Sequence, residues 1–179
     1  MAIPVIDITI GGASANSYVA MEDAESFLDA RLNSASWSSA VADDKTRALL
    51  MAAKRLDAEN WLGNRVTTTQ RLTWPRIGVT KVDPVGIGLW YGSYGYDWGW
   101  GYGEQYLTTE IPQLVKDAQC ELALAYLEGF DDGQEDAMDS FSADGVSVKL
   151  RQSRPNGGLP PRVLQLISGL IAGNRLVRA

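Results

Sequence analysis

Histidine is absent from all 179 residues. Its absence removes the usual general base, the commonest metal ligand and the pH switch near neutrality, and with them Ser–His and Cys–His catalysis and the His-containing zinc sites. The lone cysteine, Cys120, falls among Ala118, Leu122 and Leu124 in a helical stretch. It reads as a buried, inert thiol rather than a nucleophile. A single cysteine allows no internal disulfide and suits a reducing compartment. Carboxylates number 22, yet no two form a recognisable pocket motif. Asp57 follows Leu56 in a helical stretch, where a helix-end hydrogen bond or salt bridge is its default role. The acidic run over 130–144 (Asp131, Asp132, Glu135, Asp136, Asp139, Asp144) lacks the Asp-x-Asp-x-Asp-Gly order of a calcium loop and reads as solvated. There is no Gly-x-x-x-x-Gly-Lys-Ser/Thr loop and no Gly-x-Gly-x-x-Gly after a strand. No catalytic residue, metal site or cofactor is therefore expected, and no enzyme. Arg76, after Trp74-Pro75, is free to pair with an acid at a subunit contact, to stack on a ring, or to pair within the chain.

What remains is the chemistry of binding. Residues 1–148 carry ten cations against all 22 acids, a net −12, while residues 149–179 carry six cations and no acid, a net +6. Such asymmetry suggests a basic arm that meets an acidic partner, protein or nucleic acid, against the alternative of a solvated tail. The second binding feature is Gly86 to Tyr106. Half of the chain's sixteen aromatics lie there (Trp90, Tyr91, Tyr94, Tyr96, Trp98, Trp100, Tyr102 and Tyr106), with seven glycines between them. Long loops are commonly functional or disordered, and so much Trp and Tyr argues against plain disorder. Glycine supplies freedom, and the rings supply contact area with few torsions to freeze. An interaction surface is the preferred reading over a self-packed flap. A base-stacking platform comes last, because the loop holds Asp97 and Glu104 and no Lys or Arg.

The elements that must carry these features are mostly helical. Thr109–Gly129 reads as the central helix, with Thr108 or Thr109 as cap, Glu110 favoured by the dipole, Pro112 in the first turn and Gly129 as a left-handed stop. Ile111, Leu114, Val115, Ala118, Leu122 and Ala125 share one face. Met21–Leu32 reads as an amphipathic helix with Ala24, Phe27, Leu28 and Leu32 inward. A longer helix runs from an Asp43 or Asp44 cap to about Asn60, with Gly63 as a stop. Val5–Ile10 alternates and suggests a short strand, Ser17-Tyr18-Val19 a second extended piece. Val66–Gln70 has strand-forming residues, and Leu72–Val79 looks extended because Pro75 biases Trp74 away from helix. Asp144-Gly145 marks a hairpin turn, and Pro160-Pro161 opens a last helix through Val163, Leu164, Ile167, Leu170 and Ile171. The expected fold is mainly α: a small helical bundle of about four helices with a short β-hairpin (about 139–151), a long Gly/Tyr/Trp-rich loop (83–107) and an extended basic C-terminal arm. No run of about eighteen apolar residues exists, so no membrane span is expected. The N-terminus lacks the form of a signal peptide.

In order and spacing, several residue groups resemble a family of small tailed-bacteriophage proteins, the head–tail connectors or adaptors of the virion neck. Many of its members carry the label of a DnaT-like single-stranded-DNA-binding protein. The groups are Asn16-Ser17-Tyr18-Val19 before Ala24 and Phe27; Ala52, Leu56-Asp57, Trp61 and Gly63; Leu72, Trp74-Pro75-Arg76 and Gly78-Val79; and Glu110-Ile111-Pro112-Gln113 with Val115-Lys116-Asp117-Ala118 and Glu121-Leu122-Ala123. The resemblance covers roughly residues 10–80 and 108–175. It departs at residues 83–106, where family members are often shorter.

The resemblance implies a subunit of a ring, commonly of twelve copies, that docks beneath the portal, extends the DNA channel and links portal to tail. Residues 1–148 would be the adaptor body and 149–179 the docking arm and helix. Arg151, Arg154, Arg162, Arg175 and Arg178 would meet portal acids or phosphates. Trp90, Tyr91, Tyr94, Tyr96, Trp98, Trp100 and Tyr102 would meet a tail, nozzle or neck protein. The expected partners are the portal, tail components, other copies of the chain and the packaged double-stranded DNA, with no membrane. The location would be the virion neck, assembled in the host cytoplasm. The rival reading is a single-stranded-DNA-binding module, which needs a basic groove interleaved with aromatics. Here the two lie in different segments.

Overall fold

The computed structural model of the chain describes residues 5–81, 104–130, 158–172 and, for backbone alone, the two strands at 140–143 and 146–149. Among the described residues the helices are α1 (Met21–Asp29), α2 (Ala35–Ser39), α3 (Ala42–Asp57), α4 (Gln113–Leu127) and α5 (Pro161–Ile167). They number five rather than four because Trp37, expected to begin a turn or plug the core, does both within the short α2. β1 (Asn64–Arg65) pairs antiparallel with β2 (Arg76–Ile77), and β3 (Ser140–Ala143) with β4 (Val146–Lys149). The β3–β4 register pairs Ala143 with Val146, and the expected Asp144-Gly145 turn lies outside the described residues.

The helix α4 is the centre. It packs most extensively against α3, then α5, and touches α1 and α2. Val115, Ala118, Leu122 and Ala125 are buried on the expected face, and Cys120, Ala123 and Leu124 extend the burial around the helix. The start differs from expectation. Pro112, not Thr108 or Thr109, stands at the N-cap, with no side-chain cap, while Gly129 takes the expected left-handed conformation at φ +91°. The cap of α3 is likewise Val41 rather than Asp43 or Asp44, which fall in the first turn and favour the helix dipole there instead. α3 ends at Asp57, before Asn60.

Other expectations fail for want of a partner. Val5–Ile10 forms no strand, and Val5, Ile8 and Ile10 are exposed; the segment is held by Asn16, which donates to Val5 O and accepts from Asp7 N, at 2.9 and 2.8 Å. Ser17-Tyr18-Val19, read as extended, and Val66–Gln70, with its strand-forming residues, join no ladder, and of Leu72–Val79 only Arg76-Ile77 does. α1 stops at Asp29, so Leu32 falls past its end, beside left-handed Asn33, and is 86% exposed rather than inward.

The last helix ends at Ile167 rather than near Ile171, but its apolar residues do their expected work: Leu159, Val163, Ile167, Leu170 and Ile171 join the same core as α3 and α4. Leu62 N donates to Leu170 O and Ala172 N to Asn60 O, so this part of the C-terminal segment belongs to the body. At the other side, Thr80 bridges Gln105, and Tyr106 N donates to Val79 O at 3.0 Å. The described residues on either side of the Gly/Tyr/Trp stretch therefore lie side by side.

Candidate functional site

Several of the residues quoted above, Tyr18, Asp57, Trp61, Gly63, Trp74 and Arg76, meet at the C-terminal end of α3. Asp57 Oδ1 accepts from Thr73 N at 2.8 Å, from the Thr73 hydroxyl at 2.6 Å and from the Tyr18 hydroxyl. Burial, and then the Asp57 charge, push the Tyr18 phenol well above its ordinary range. A neutral phenol clamped to a carboxylate is a fastener, not a base. The expected helix-end role of Asp57 is thus found, with partners that are distant in sequence.

Arg76 closes the same corner. Its Nε donates to Leu62 O at 2.6 Å, Nη2 to Trp61 O at 3.2 Å and to Gly63 O, and Nη1 to Thr73 O at 3.3 Å. Of the three roles open to it, the chain uses the internal one, but the acceptors are main-chain carbonyls rather than an acid. Burial, and then neighbouring Arg65, lower its pKa from the ordinary value. Trp74 meets the edges of Trp61 and Tyr106 at centroid distances of 5.7 and 6.0 Å, and Trp61 Nε1 donates to Leu56 O at 2.8 Å. Gly63, at φ +71°, lies so close to Ile77 O that an added Cβ would stand 2.3 Å away. Leu56-Asp57, Trp61, Gly63, Trp74-Pro75-Arg76 and Val79 are therefore one staple between α3 and the 72–79 segment.

A second internal pin was not singled out by sequence reasoning. Gln119, fully buried in α4, accepts from Tyr18 N at 2.9 Å and donates to Ser17 Oγ at 2.7 Å and Leu49 O at 3.0 Å. Cys120 beside it is buried, and burial pushes its thiol up to about 12, with Asp117 and Glu121 adding to the shift. The thiolate is thereby disfavoured. Among the described residues no group of His, Cys, Asp and Glu could hold a metal ion. No helix among them is long and apolar enough to cross a membrane.

Of the residues expected to bind partners, only Arg162 is described. It is half-exposed and pairs with Glu128 at 3.2 Å and more distantly with Glu121 at 3.7 Å; Glu121 also pairs with Arg31 at 2.6 Å. Arg151, Arg154, Arg175 and Arg178 lie outside the described residues, as do Trp90, Tyr91, Tyr94, Tyr96, Trp98, Trp100 and Tyr102. Over residues 5–81 most cations are engaged. Lys45 pairs with Glu25 and lies over Trp37, Arg47 pairs with Asp44, Arg55 with Glu59 and Lys81 with Glu104. Lys54, Arg65 and Arg71 are exposed and have no acid partner among the described residues. Two of these, Lys54 and Arg71, line one groove of about 600 Å³ beside α3.

Residues 1–89 match a family model. Its description is "Putative DnaT-like ssDNA binding protein". The match takes in α1 to α3 and the whole staple, and carries no portal or virion description. It coincides with the first of the two stretches on which the resemblance rested; α4 and α5 lie beyond it. Neither the curated proteins nor the solved structures gave a significant match.

Proposed function

We propose that the chain is a non-enzymatic structural adaptor of a tailed-phage neck, one subunit of a ring beneath the portal. The observation that carries this reading is the antiparallel junction of Thr80 and Gln105, with Tyr106 packed on Trp74. It sets the residues that flank the aromatic stretch side by side on the body, as the ends of an insertion made for a partner would be set. The inward Trp37, Trp61, Trp74 and Tyr18 support it too, since the described body keeps its own rings for its core. The mechanism would be ordered assembly. The subunit docks on a preformed portal ring, Arg151, Arg154, Arg162, Arg175 and Arg178 meet portal acids or phosphates, and the new surface recruits the tail. Aromatic anchors of this kind contribute about 2 kcal/mol or more each. A net −12 body suits a channel wall along which DNA must slide. Negative-stain imaging of the protein mixed with its portal tests the reading: a ring seated under the portal is expected, and failure to co-sediment with portal rings would overturn it.

The second reading is a single-stranded-DNA-binding module, and one specific observation favours it: the family description attached to residues 1–89 names that activity. The comparisons weigh toward this reading, the placement of the rings and of the paired cations toward the first. Filter binding across a salt titration separates them. Tight binding with a steep salt slope supports the module; no binding at low salt removes it.

A further inference from the structure

We infer that the groove between α3 and the Arg71-Leu72 segment is a binding site for the phosphodiester backbone of single-stranded nucleic acid. The inference rests on the second reading and locates it. Its starting point is which cations the fold leaves unused. Lys54 projects from α3 and Arg71 from the facing segment, both exposed, and neither has an acid partner among the described residues. Both line the same groove.

The groove is built rather than incidental. Arg71 N donates to Gly12 O at 3.1 Å, and the neighbouring Gln70 amide is buried, donating to Leu72 O and Pro75 O and accepting from Thr67 N. The backbone that carries Arg71 is therefore fixed, while its guanidinium has only a long contact, 3.4 Å, to Ser14 O. The opposite wall is α3, with Leu50, Lys54 and Asp57 at helical spacing. Met51 is 53% exposed at this wall, and Leu50 and Leu72 add apolar surface. Asp57, the one acid in the lining, has Oδ1 taken by three internal donors. The volume falls within the range of about 300–1,000 Å³ usual for small-ligand sites.

Two cations beside the apolar Leu50, Met51 and Leu72, with Asn16 and Asp57 also in the lining and no aromatic ring there, suit an anion joined to an apolar plate. A nucleotide of an unpaired strand has that form: phosphate between Lys54 and Arg71, base against Met51 and Leu50. A duplex hides its bases and could use only the cations. Every lining residue lies within the stretch matched by the family model.

The test is fluorescence anisotropy with a labelled oligothymidylate and with a labelled duplex, on the full chain and on Lys54→Glu/Arg71→Glu. Arg65→Glu serves as control, since Arg65 is also exposed and without an acid partner among the described residues but does not line the groove. Thermal melts confirm folding of each variant. The double variant should lose at least tenfold in affinity for the single strand, and its salt slope should fall by about 1.4, two phosphate contacts at ~0.7 each. Arg65→Glu should lose far less, and the duplex should bind more weakly than the strand. Binding by the wild type that the double variant retains would overturn the groove and leave the DNA-binding reading standing. Equal losses with Arg65→Glu, or equal affinity for duplex, would also overturn it. No binding by the wild type would remove both.

Discussion

The Tyr18 hydroxyl donates to the Asp57 carboxylate across 39 positions of sequence, and Thr73 donates twice to the same oxygen. Three separate segments are thus held by one acceptor. Asp57→Ala would strand the Thr73 N–H and one of two hydroxyl donors, since the Tyr18 and Thr73 hydroxyls, 2.9 Å apart, can still bond each other. A loss of about 1–3 kcal/mol per unsatisfied buried group is the expected scale. Urea denaturation should show Asp57→Ala more destabilised than Tyr18→Phe, which removes only one partner. Because the residues touch, the double variant should cost less than the sum of the two. Additive losses would mean that the contact contributes nothing of its own.

The same contact sets an alkaline limit. Tyr18 ordinarily ionises near 10.0, and burial beside Asp57 raises it in the folded chain. At pH above the ordinary value the unfolded chain releases this proton while the folded chain keeps it. The unfolded state then binds fewer protons, so stability falls as pH rises. The contribution is whole below about pH 10 and is lost progressively above it. Subtracting the pH profile of Tyr18→Phe from that of the wild type isolates the effect from the other tyrosines. The wild type should lose stability faster with alkali; parallel profiles would show that Tyr18 ionises as freely folded as unfolded.

What could be read from sequence follows from how local its cause is. Gly129 stops α4 because a left-handed residue is a local need, and apolar spacing reports the buried face of α4 directly. The Val5–Ile10 alternation misled because a strand exists only with a partner, and here Asn16 supplies the hydrogen bonds instead. Leu32 misled because periodicity does not say where a helix ends. Gln119 carries no local signal at all. It looks like any polar residue in a helix, and its role is fixed by Ser17, Tyr18 and Leu49, far off in sequence. The candidate groove was illegible for a similar reason: Lys54 and Arg71 matter because they have no acid partner among the described residues, and only the fold shows which cations are paired.

Glycines at 63 and 78 offer a matched comparison. Both are left-handed, at φ +71° and +78°. An added Cβ at Gly78 meets nothing within 4 Å, whereas at Gly63 it would lie 2.3 Å from Ile77 O and 2.6 Å from Val79 Cγ2. Gly78→Ala should therefore cost the left-handed penalty alone, about 1–2 kcal/mol. Gly63→Ala should cost about 3 kcal/mol or more, because overpacking adds about 1–3 kcal/mol. Chemical denaturation of the two variants checks the order. Equal losses would mean that Gly63 is chosen for its backbone angle and not for the close approach of β2.

Arg162 joins the body to the question of docking, because it already has partners. Its pairs with Glu128 and Glu121 involve a half-exposed guanidinium, while the Arg31–Glu121 pair beneath is mostly buried, with side chains 19% and 11% exposed. Exposed ion pairs are worth about 0–1 kcal/mol. Breaking a buried pair from one side costs about 3–5 kcal/mol, since the remaining charge is stranded. Glu121→Ala should thus destabilise by about 3 kcal/mol, and Arg162→Ala by less than about 1 kcal/mol. Thermal melts at low and high salt would show it, with the Arg162 effect fading in salt and the Glu121 effect persisting. A small cost at Arg162 leaves the residue able to exchange Glu128 for a partner's acid or phosphate at little expense to the fold. A cost equal to that of Glu121 would make Arg162 a structural residue and remove it from the docking set.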